Sequence, residues 1–142
     1  MNIAFCGHSQ LTDTETIREN LIQTLQSFPT DRTIAFYLGG YGDFDLLAAS
    51  VLHRMKSHHP HFETILVLPY PDKKYDSYLY DTTLYPPIEA VPRKFAILKR
   101  NMWMVDCADI VIAYVVYPWG GAFKTYEYAK RKNRNIINLG NI

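Results

Sequence analysis

Residues 33–55 read TIAFYLGGYGDFDLLAASVLHRM, and this stretch indicates the fold. It opens with an apolar run, residues 33–38, that leads directly into the turn Gly39-Gly40-Tyr41-Gly42. Apolar residues then recur at the three- and four-residue spacing of an amphipathic helix, at Phe44, Leu47, Ala48, Val51, Leu52 and Met55. The stretch therefore predicts a buried strand that turns sharply into a helix.

The same order of strand and helix recurs on both sides of this stretch. Further apolar strands are predicted at residues 2–6, 64–68, 109–116 and 135–139. A capping box of Thr12 and Glu15 predicts the start of the first helix. Because parallel strands need crossover connections, this alternation predicts an α/β fold, a Rossmann-like three-layer sandwich. We expect about five mostly parallel strands with helices on both faces.

Residues 70–93 interrupt the alternation. They have no helical or strand period and are rich in tyrosine and proline. Long irregular stretches inside a compact domain are commonly lids or insertions. We therefore predict a single domain, residues 1–142, with an irregular insertion at about 70–93. Its tyrosines either pack the insertion onto the domain or stack on a base.

The balance of basic and acidic residues indicates which kinds of partner the chain attracts. The chain has 15 basic and 14 acidic residues, a formal net charge of +1, so no global field attracts a polyanion. We therefore expect nucleic acid not to be a main partner. No run approaches the roughly 20 apolar residues of a membrane span, and the N-terminal residues lack a signal-peptide pattern. A cytoplasmic protein without a membrane partner is expected.

The cysteines and histidines do not predict a metal site. Cys6 and Cys107 are isolated and lack the CxxC spacing of a zinc or redox pair, so free thiols are expected. The histidines between residues 53 and 61 lie at or after a predicted helix end, where they suit surface positions and the helix dipole. We assign no metal.

Three turns that contain glycine each follow a predicted strand: Gly7-His8, Gly39-Gly40-Tyr41-Gly42 and Gly120-Gly121. In a parallel sheet these turns lie at the carboxyl edge, where ligands bind. Glycine lets the backbone approach a ligand closely, and the free N–H groups of a helix start favour an anion. The pattern predicts a site for a small phosphorylated ligand, unless the glycines serve only to make tight turns.

The residues after two of these turns differ in charge. Lys124 and Thr125 follow Gly120-Gly121 and supply a cation and a hydroxyl donor that suit a phosphate. Asp43 and Asp45 follow Gly42 and would repel a phosphate. They can accept hydrogen bonds from ribose hydroxyls, or they cap the helix.

Arg100 lies on the helix that precedes the most apolar strand. An arginine that reaches the same edge of the sheet can bind a phosphate or carboxylate through two parallel hydrogen bonds. The alternative is an ordinary charge on the exposed face of a helix.

The order of these motifs along nearly all of the chain resembles the SLOG superfamily of Rossmann-like nucleotide-binding proteins. That superfamily includes the Lonely Guy phosphoribohydrolases and the DNA-processing protein Smf, and the resemblance is greatest to its small, uncharacterised bacterial members. The matching motifs are Gly7-His8, GGYGDFD at residues 39–45, Arg100-Asn101-x-x-Met104, Ala108-Asp109 and WGGAFKTYEYA at residues 119–129. The resemblance implies a nucleotide or nucleotide-derived ligand at the glycine turns.

The resemblance to the Lonely Guy enzymes is incomplete at their catalytic glutamate. Arg100 and Met104 match the enzymes' R-K-x-x-M motif, with Asn101 in place of its lysine. In their P-G-G-x-G-T-x-x-E motif the glutamate lies three residues after the threonine, whereas Glu127 lies two residues after Thr125. One helical residue is about 100° of rotation, so Glu127 is expected to point elsewhere. This difference argues against N-glycosidic hydrolysis.

Two functions follow from these observations, and a third, a DNA-handling protein by analogy with Smf, is disfavoured by the balanced charge and the lack of a basic stripe. The first is a non-catalytic or sensor-like domain that binds a nucleotide through a set of turn and helix residues: Gly7, His8, Gly39, Gly40, Gly42, Asp43, Asp45, Arg100, Gly120, Gly121, Lys124 and Thr125. The second is a hydrolase or transferase acting on the N-glycosidic bond of nucleoside monophosphates, with Arg100, Glu127 and Asp45 as catalytic candidates. No cofactor beyond a nucleotide ligand is assigned, and a homodimer is left open.

Overall fold

Strands and helices alternate in the predicted order. The computed structural model describes residues 1–141, and within them it contains six strands and four α-helices. In chain order these are β1 (Asn2–Gly7), α1 (Thr14–Gln26), β2 (Ile34–Leu38), α2 (Asp43–Met55), β3 (Phe62–Val67), β4 (Thr82–Leu84), α3 (Ala96–Cys107), β5 (Ile110–Tyr114), α4 (Gly120–Arg131) and β6 (Asn135–Asn138).

All six strands form one parallel sheet in the order β4-β3-β2-β1-β5-β6. The chain begins at β1, adds β2, β3 and β4 on one side, and then crosses to add β5 and β6 on the other. In open parallel sheets a crevice forms beyond the carboxyl ends of the strands where the order reverses. That point lies between β1 and β5, and the predicted fold class is confirmed.

Each face of the sheet is covered by two helices. Successive residues of β1 point to opposite faces, so Ile3 and Phe5 pack with buried residues of α1 and α2. Ala4 and Cys6 pack on the other face with buried residues of α3 and α4. Because both faces are covered, the central strands read as continuous apolar runs, which is the pattern that the sequence showed.

The insertion at residues 70–93 is more regular than its sequence indicates. Residues 82–84 pair with β3 as the short edge strand β4. Asp81 anchors this strand, because its Oδ2 accepts a hydrogen bond from the Thr64 N–H at 2.8 Å and its carboxylate pairs with Lys56. Strands of three residues are too short to give a periodic signal, so the sequence could not reveal this one.

The cap of α1 differs from the prediction by one residue. Asp13, not Thr12, is the N-cap, and its Oδ1 accepts a hydrogen bond from the Thr16 N–H at 3.4 Å. Aspartate and threonine are both good N-caps, so the motif locates a helix start only approximately.

Gly7 lets α2 pack closely on the end of β1. A Cβ atom at Gly7 would lie 2.3 Å from Cδ2 and 2.6 Å from Cβ of Phe44, which is fully buried in α2. The absence of a side chain at this position therefore sets the distance between the strand and the helix.

Gly7→Ala is expected to destabilise the protein by about 1–3 kcal/mol, because an extra methyl group in a packed core forces neighbouring groups to shift. Urea unfolding followed by circular dichroism measures the change. Gly121→Ala is the matched control, since a Cβ at Gly121 meets no atom within 4 Å. Equal stability of the two variants would contradict the assigned role of Gly7.

Candidate functional site

A cleft of about 340 Å³ lies beyond the carboxyl ends of β1 and β5. Its walls are the end of β1, the turn between β5 and α4, and the side of α3 that faces the sheet. Seven of the residues predicted from the sequence line it: Gly7, His8, Asp45, Arg100, Gly120, Gly121 and Thr125. Two of the three glycine turns, from chain segments more than 100 residues apart, therefore meet at one cavity.

The N-terminus of α4 opens into this cleft. The N–H groups of Gly120, Gly121 and Ala122 have no hydrogen-bond acceptor within residues 1–141, and the N-cap residue Trp119 makes no side-chain cap. Gly120 has φ +91°, a conformation that favours glycine, and a Cβ at either glycine would meet open space. Three unpaired N–H groups at the positive end of a helix dipole form a cradle for an anion.

Thr125 lines the cleft, but the hydrogen of its hydroxyl is used within α4. The side chain is buried, and its Oγ1 donates to the carbonyl oxygen of Gly121 at 3.1 Å. This is the common bond of a helical threonine to the carbonyl four residues before it.

Arg100 is 2% exposed and forms the floor of the cleft. Its Nη1 donates to the carbonyl oxygens of Gly39 and Val67 at 2.7 and 2.8 Å, and its Nε donates to Asn101 Oδ1 at 2.8 Å. These bonds join the ends of β2 and β3. Nη2 has no hydrogen bond to any residue in the described part of the chain, so one edge of the guanidinium is left for a ligand.

Asp45 holds the glycine turn from the other side. Its Oδ2 accepts a hydrogen bond from the Gly39 N–H at 2.7 Å, and a Cβ at Gly39 would lie 2.9 Å from both this oxygen and Arg100 Nη2. Burial raises the pKa of the Asp45 carboxyl to about 6, against the opposing effects of Arg100 and the N–H groups of Gly39, Gly40 and Tyr41. Gly39 is thus enclosed by a buried cation and a buried carboxyl group.

His8 connects the end of β1 to the turn after β5. It is 3% exposed, and its Nε2 accepts a hydrogen bond from the Val116 N–H at 2.9 Å. Burial lowers the pKa of His8, and an accepting Nε2 places the proton of the neutral ring on Nδ1.

An aromatic column leads from His8 to the mouth of the cleft. The His8 and Tyr117 rings stack at 3.7 Å with an angle of 7°, and the Tyr117 and Trp119 rings stack at 4.4 Å. Trp119 is 64% exposed, and Tyr41, which also lines the cleft, is 60% exposed. Flat, partly exposed rings at the entrance suit a planar ligand group.

Several predicted residues lie outside this cleft. Lys124 and Glu127 line a separate groove of about 260 Å³ between α3 and α4. Asp43 accepts a hydrogen bond from the Leu11 N–H at 3.1 Å and so joins α2 to the loop after β1. Gly40 and Gly42, with φ +70° and +89°, shape the turn without lining the cleft. Lys124 therefore does not line the cleft into which the N-terminus of α4 opens.

Other residues of the cleft were not predicted from the sequence. Asn101, which orients Arg100, and the aromatic residues Tyr41, Tyr117 and Trp119 all line it. The available signal was the position of Tyr117 and Trp119 directly before Gly120-Gly121. Cys6 lines the cleft too, but burial raises the pKa of its thiol to about 12, so it is not a thiolate nucleophile at neutral pH.

The described residues show neither a cluster of metal ligands nor a helix that could span a membrane. Within residues 1–141, no cluster of three or more histidine, cysteine or acidic side chains could hold a metal ion. In the same range, none of the helices has the length and apolar character needed to cross a bilayer.

Comparison with known proteins gives similarity at the level of the fold. No protein-family model matches the chain, and no curated protein is similar to it. A structure of DNA processing protein A from Streptococcus pneumoniae is similar with a TM-score of 0.70 and 20% identity, over 96% of this chain and 49% of that one. DNA processing protein A from Helicobacter pylori is similar with a TM-score of 0.67 and 16% identity, over 97% of this chain and 64% of that one.

At 20% and 16% identity, these similarities show that the chain shares the Rossmann-like fold. The chain spans about half and about two thirds of the two similar proteins. The closer resemblance to small bacterial members of the superfamily stays a prediction.

The expectation that nucleic acid is not a main partner is wrong. The Helicobacter pylori structure, which has this fold, was reported for its single-stranded DNA binding mode. The expectation rested on the net charge of the whole chain. Single strands can bind through stacking and local phosphate contacts, which do not require a strongly basic chain.

The pH dependence of stability tests the environment of Asp45. The folded-state pKa of about 6 lies above the ordinary value of 3.8, so the folded protein binds more protons than the unfolded chain between these values. Stability is therefore lost as the pH rises from about 4 to 6. Relative to wild type, Asp45→Asn should gain about 3 kcal/mol of unfolding free energy over this window, since one pKa unit is about 1.4 kcal/mol.

Urea unfolding of both proteins at intervals between pH 3.5 and 7.5 measures this difference. Asp43→Asn is the control, because Asp43 is exposed. If the difference in unfolding free energy between wild type and Asp45→Asn does not change with pH across this window, the Asp45 carboxyl ionises normally.

Proposed function

We propose that the cleft binds a nucleotide unit, with its phosphate at the N-terminus of α4 and its base against the aromatic residues at the mouth. The observation that carries this proposal is the convergence of two kinds of unpaired donor. Gly120, Gly121 and Ala122, whose N–H groups are unpaired within residues 1–141, and the buried Arg100, whose Nη2 has no hydrogen bond in that range, line one cavity. A buried cation with a free N–H edge, next to a helix N-terminus, is suited to an anion.

The charges around the cleft support a phosphate in particular. Arg100 and the dipole of α4 contribute positive potential. Asp45 is the one carboxylate that lines the cavity within residues 1–141, and its Oδ2 is engaged by the Gly39 N–H. A phosphate has several oxygens, so it can accept bonds from the three amides and the guanidinium at the same time.

The aromatic residues support a base or sugar next to the phosphate. The outer ring of the column, Trp119, and the unstacked Tyr41 are both exposed at the entrance. Every base has a π-face, so stacking on such rings tolerates different sequences. The shared fold with DNA processing protein A supports a ligand of the nucleotide class.

A second candidate is hydrolysis of the N-glycosidic bond, which needs a carboxylate near the anomeric carbon. Asp45 favours this function, because it lines the cleft and the pKa of its carboxyl group is about 6, which is within the range of a general acid or base. Glu127, the other acidic candidate, lies in the groove between α3 and α4. We expect Asp45 to position the Gly39 turn and the protein to bind nucleotides without releasing free base.

Gly121→Ala is expected to weaken phosphate binding at least tenfold while leaving the fold intact. Its Cβ meets no protein atom within 4 Å and would occupy the space in which the phosphate lies. Isothermal titration calorimetry with the four nucleoside monophosphates, the corresponding nucleosides and a short oligothymidylate measures the effect. Nucleosides should bind at least tenfold more weakly than monophosphates.

Lys124→Ala is the matched control, because it removes a cation on the same helix outside the cleft. It should change the affinity by less than twofold at physiological salt, where exposed charges are screened. If Gly121→Ala and Lys124→Ala lose the same amount of affinity, the proposed phosphate site at the N-terminus of α4 is contradicted. Chromatography of the same mixtures for free base separates binding from hydrolysis, and turnover that is lost in Asp45→Asn would favour the enzyme.

A further inference from the structure

A second groove, of about 350 Å³, lies beside the cleft between the start of α2 and the insertion at residues 70–93. Its walls come from the turn after β2, from α2 and from the insertion. The lining residues are Gly40, Leu46, Lys74, Tyr75, Asp76, Leu79 and Tyr80. This groove takes up none of the residues of the anion cradle, so it is a separate place for a ligand group.

The groove and the cleft meet the same turn of the backbone. Gly40 lines the groove, and the next residue, Tyr41, lines the cleft. The Tyr80 hydroxyl would lie 3.6 Å from a Cβ at Gly40, and Tyr80 is close enough to Asp45 and Arg100 for their charges to affect its pKa. The Gly40-Tyr41 turn therefore contributes one residue to each cavity, and Tyr80 extends from the groove toward the residues of the cleft.

The groove has the chemistry of a site for a planar heterocycle. Tyr75 is 44% exposed and meets the ring of Tyr80 edge-on at 6.4 Å. Burial raises the pKa of the Tyr80 hydroxyl to about 12, so it stays protonated and can donate a hydrogen bond to a ligand at neutral pH. Lys74 offers a cation for a phosphate, and Asp76 offers an acceptor for an exocyclic amino group.

We propose that this groove is a second nucleotide position, which takes the nucleotide next to the one whose phosphate lies at α4. The inference rests on the proposed function of the cleft and specifies its ligand. A free mononucleotide fills one of two cavities of nearly equal volume and leaves the other empty. A single strand fills both, with Tyr41 exposed between the two positions and Lys74 beside the second phosphate.

Binding of thymidine monophosphate and of a thymidine pentanucleotide to wild type and variants tests the proposal. The pentanucleotide should bind wild type at least tenfold more tightly than the mononucleotide does. Tyr75→Ala and Lys74→Ala should each weaken pentanucleotide binding three- to tenfold and leave mononucleotide binding within twofold of wild type. Lys74→Ala should also reduce the slope of log K against log salt by about 0.7, the value for one phosphate contact on a single strand.

Tyr85→Ala is the matched control, since Tyr85 is an exposed tyrosine of the same insertion that lines neither cavity. It should bind both ligands like wild type. The second position is refuted if the pentanucleotide binds no more tightly than the mononucleotide, or if the groove variants bind the pentanucleotide with wild-type affinity. In both cases the proposal for the cleft stands. If neither ligand binds wild type, the proposed function itself fails.

Discussion

The hydrogen bonds of the buried Arg100 guanidinium are the contact on which the site depends. A cation removed from water is strongly unfavourable unless its donors are satisfied, and here two backbone carbonyls and one side-chain amide satisfy three of them. The carbonyls belong to Gly39 and Val67, so the same bonds fix the ends of β2 and β3. One side chain from α3 thereby positions the floor of the cleft and leaves a single edge for a ligand.

The other side of the cleft is organised by His8 in a similar way. A neutral imidazole accepts the Val116 N–H, and this bond fixes the turn that carries Tyr117, Trp119 and the start of α4. Two buried polar side chains thus orient two loops around one cavity. In this arrangement the hydrogen bonds of the buried side chains fix the loops, and the N–H groups at the start of α4 are free to bind a ligand. A site that is already ordered before binding loses less conformational entropy when the ligand binds.

The sequence revealed the chemical type of the site residues and their place along the chain, but not always where they lie in the folded protein. Gly120 and Gly121 follow a strand, so their place at the carboxyl edge follows from the α/β pattern alone. Lys124 shows the limit, because its distance from the glycines in sequence suits a phosphate contact. Its position on the far side of α4 depends on the rotation of that helix against α3. Tyr41 and Asn101 stand within quoted motifs, but the motifs did not reveal their roles, because these roles depend on residues from other elements.

The parallel α/β sheet, its buried central strands and the glycine turns at one edge could all be predicted from the amino-acid sequence. Backbone conformation and apolar periodicity are local properties, so they can be read from neighbouring residues. The burial of Arg100, the hydrogen bond of Asp45 to Gly39, and the edge strand and second groove of the insertion are evident only once the chain is folded. These features depend on contacts between residues tens of positions apart, and their geometry is set by how helices pack on the sheet.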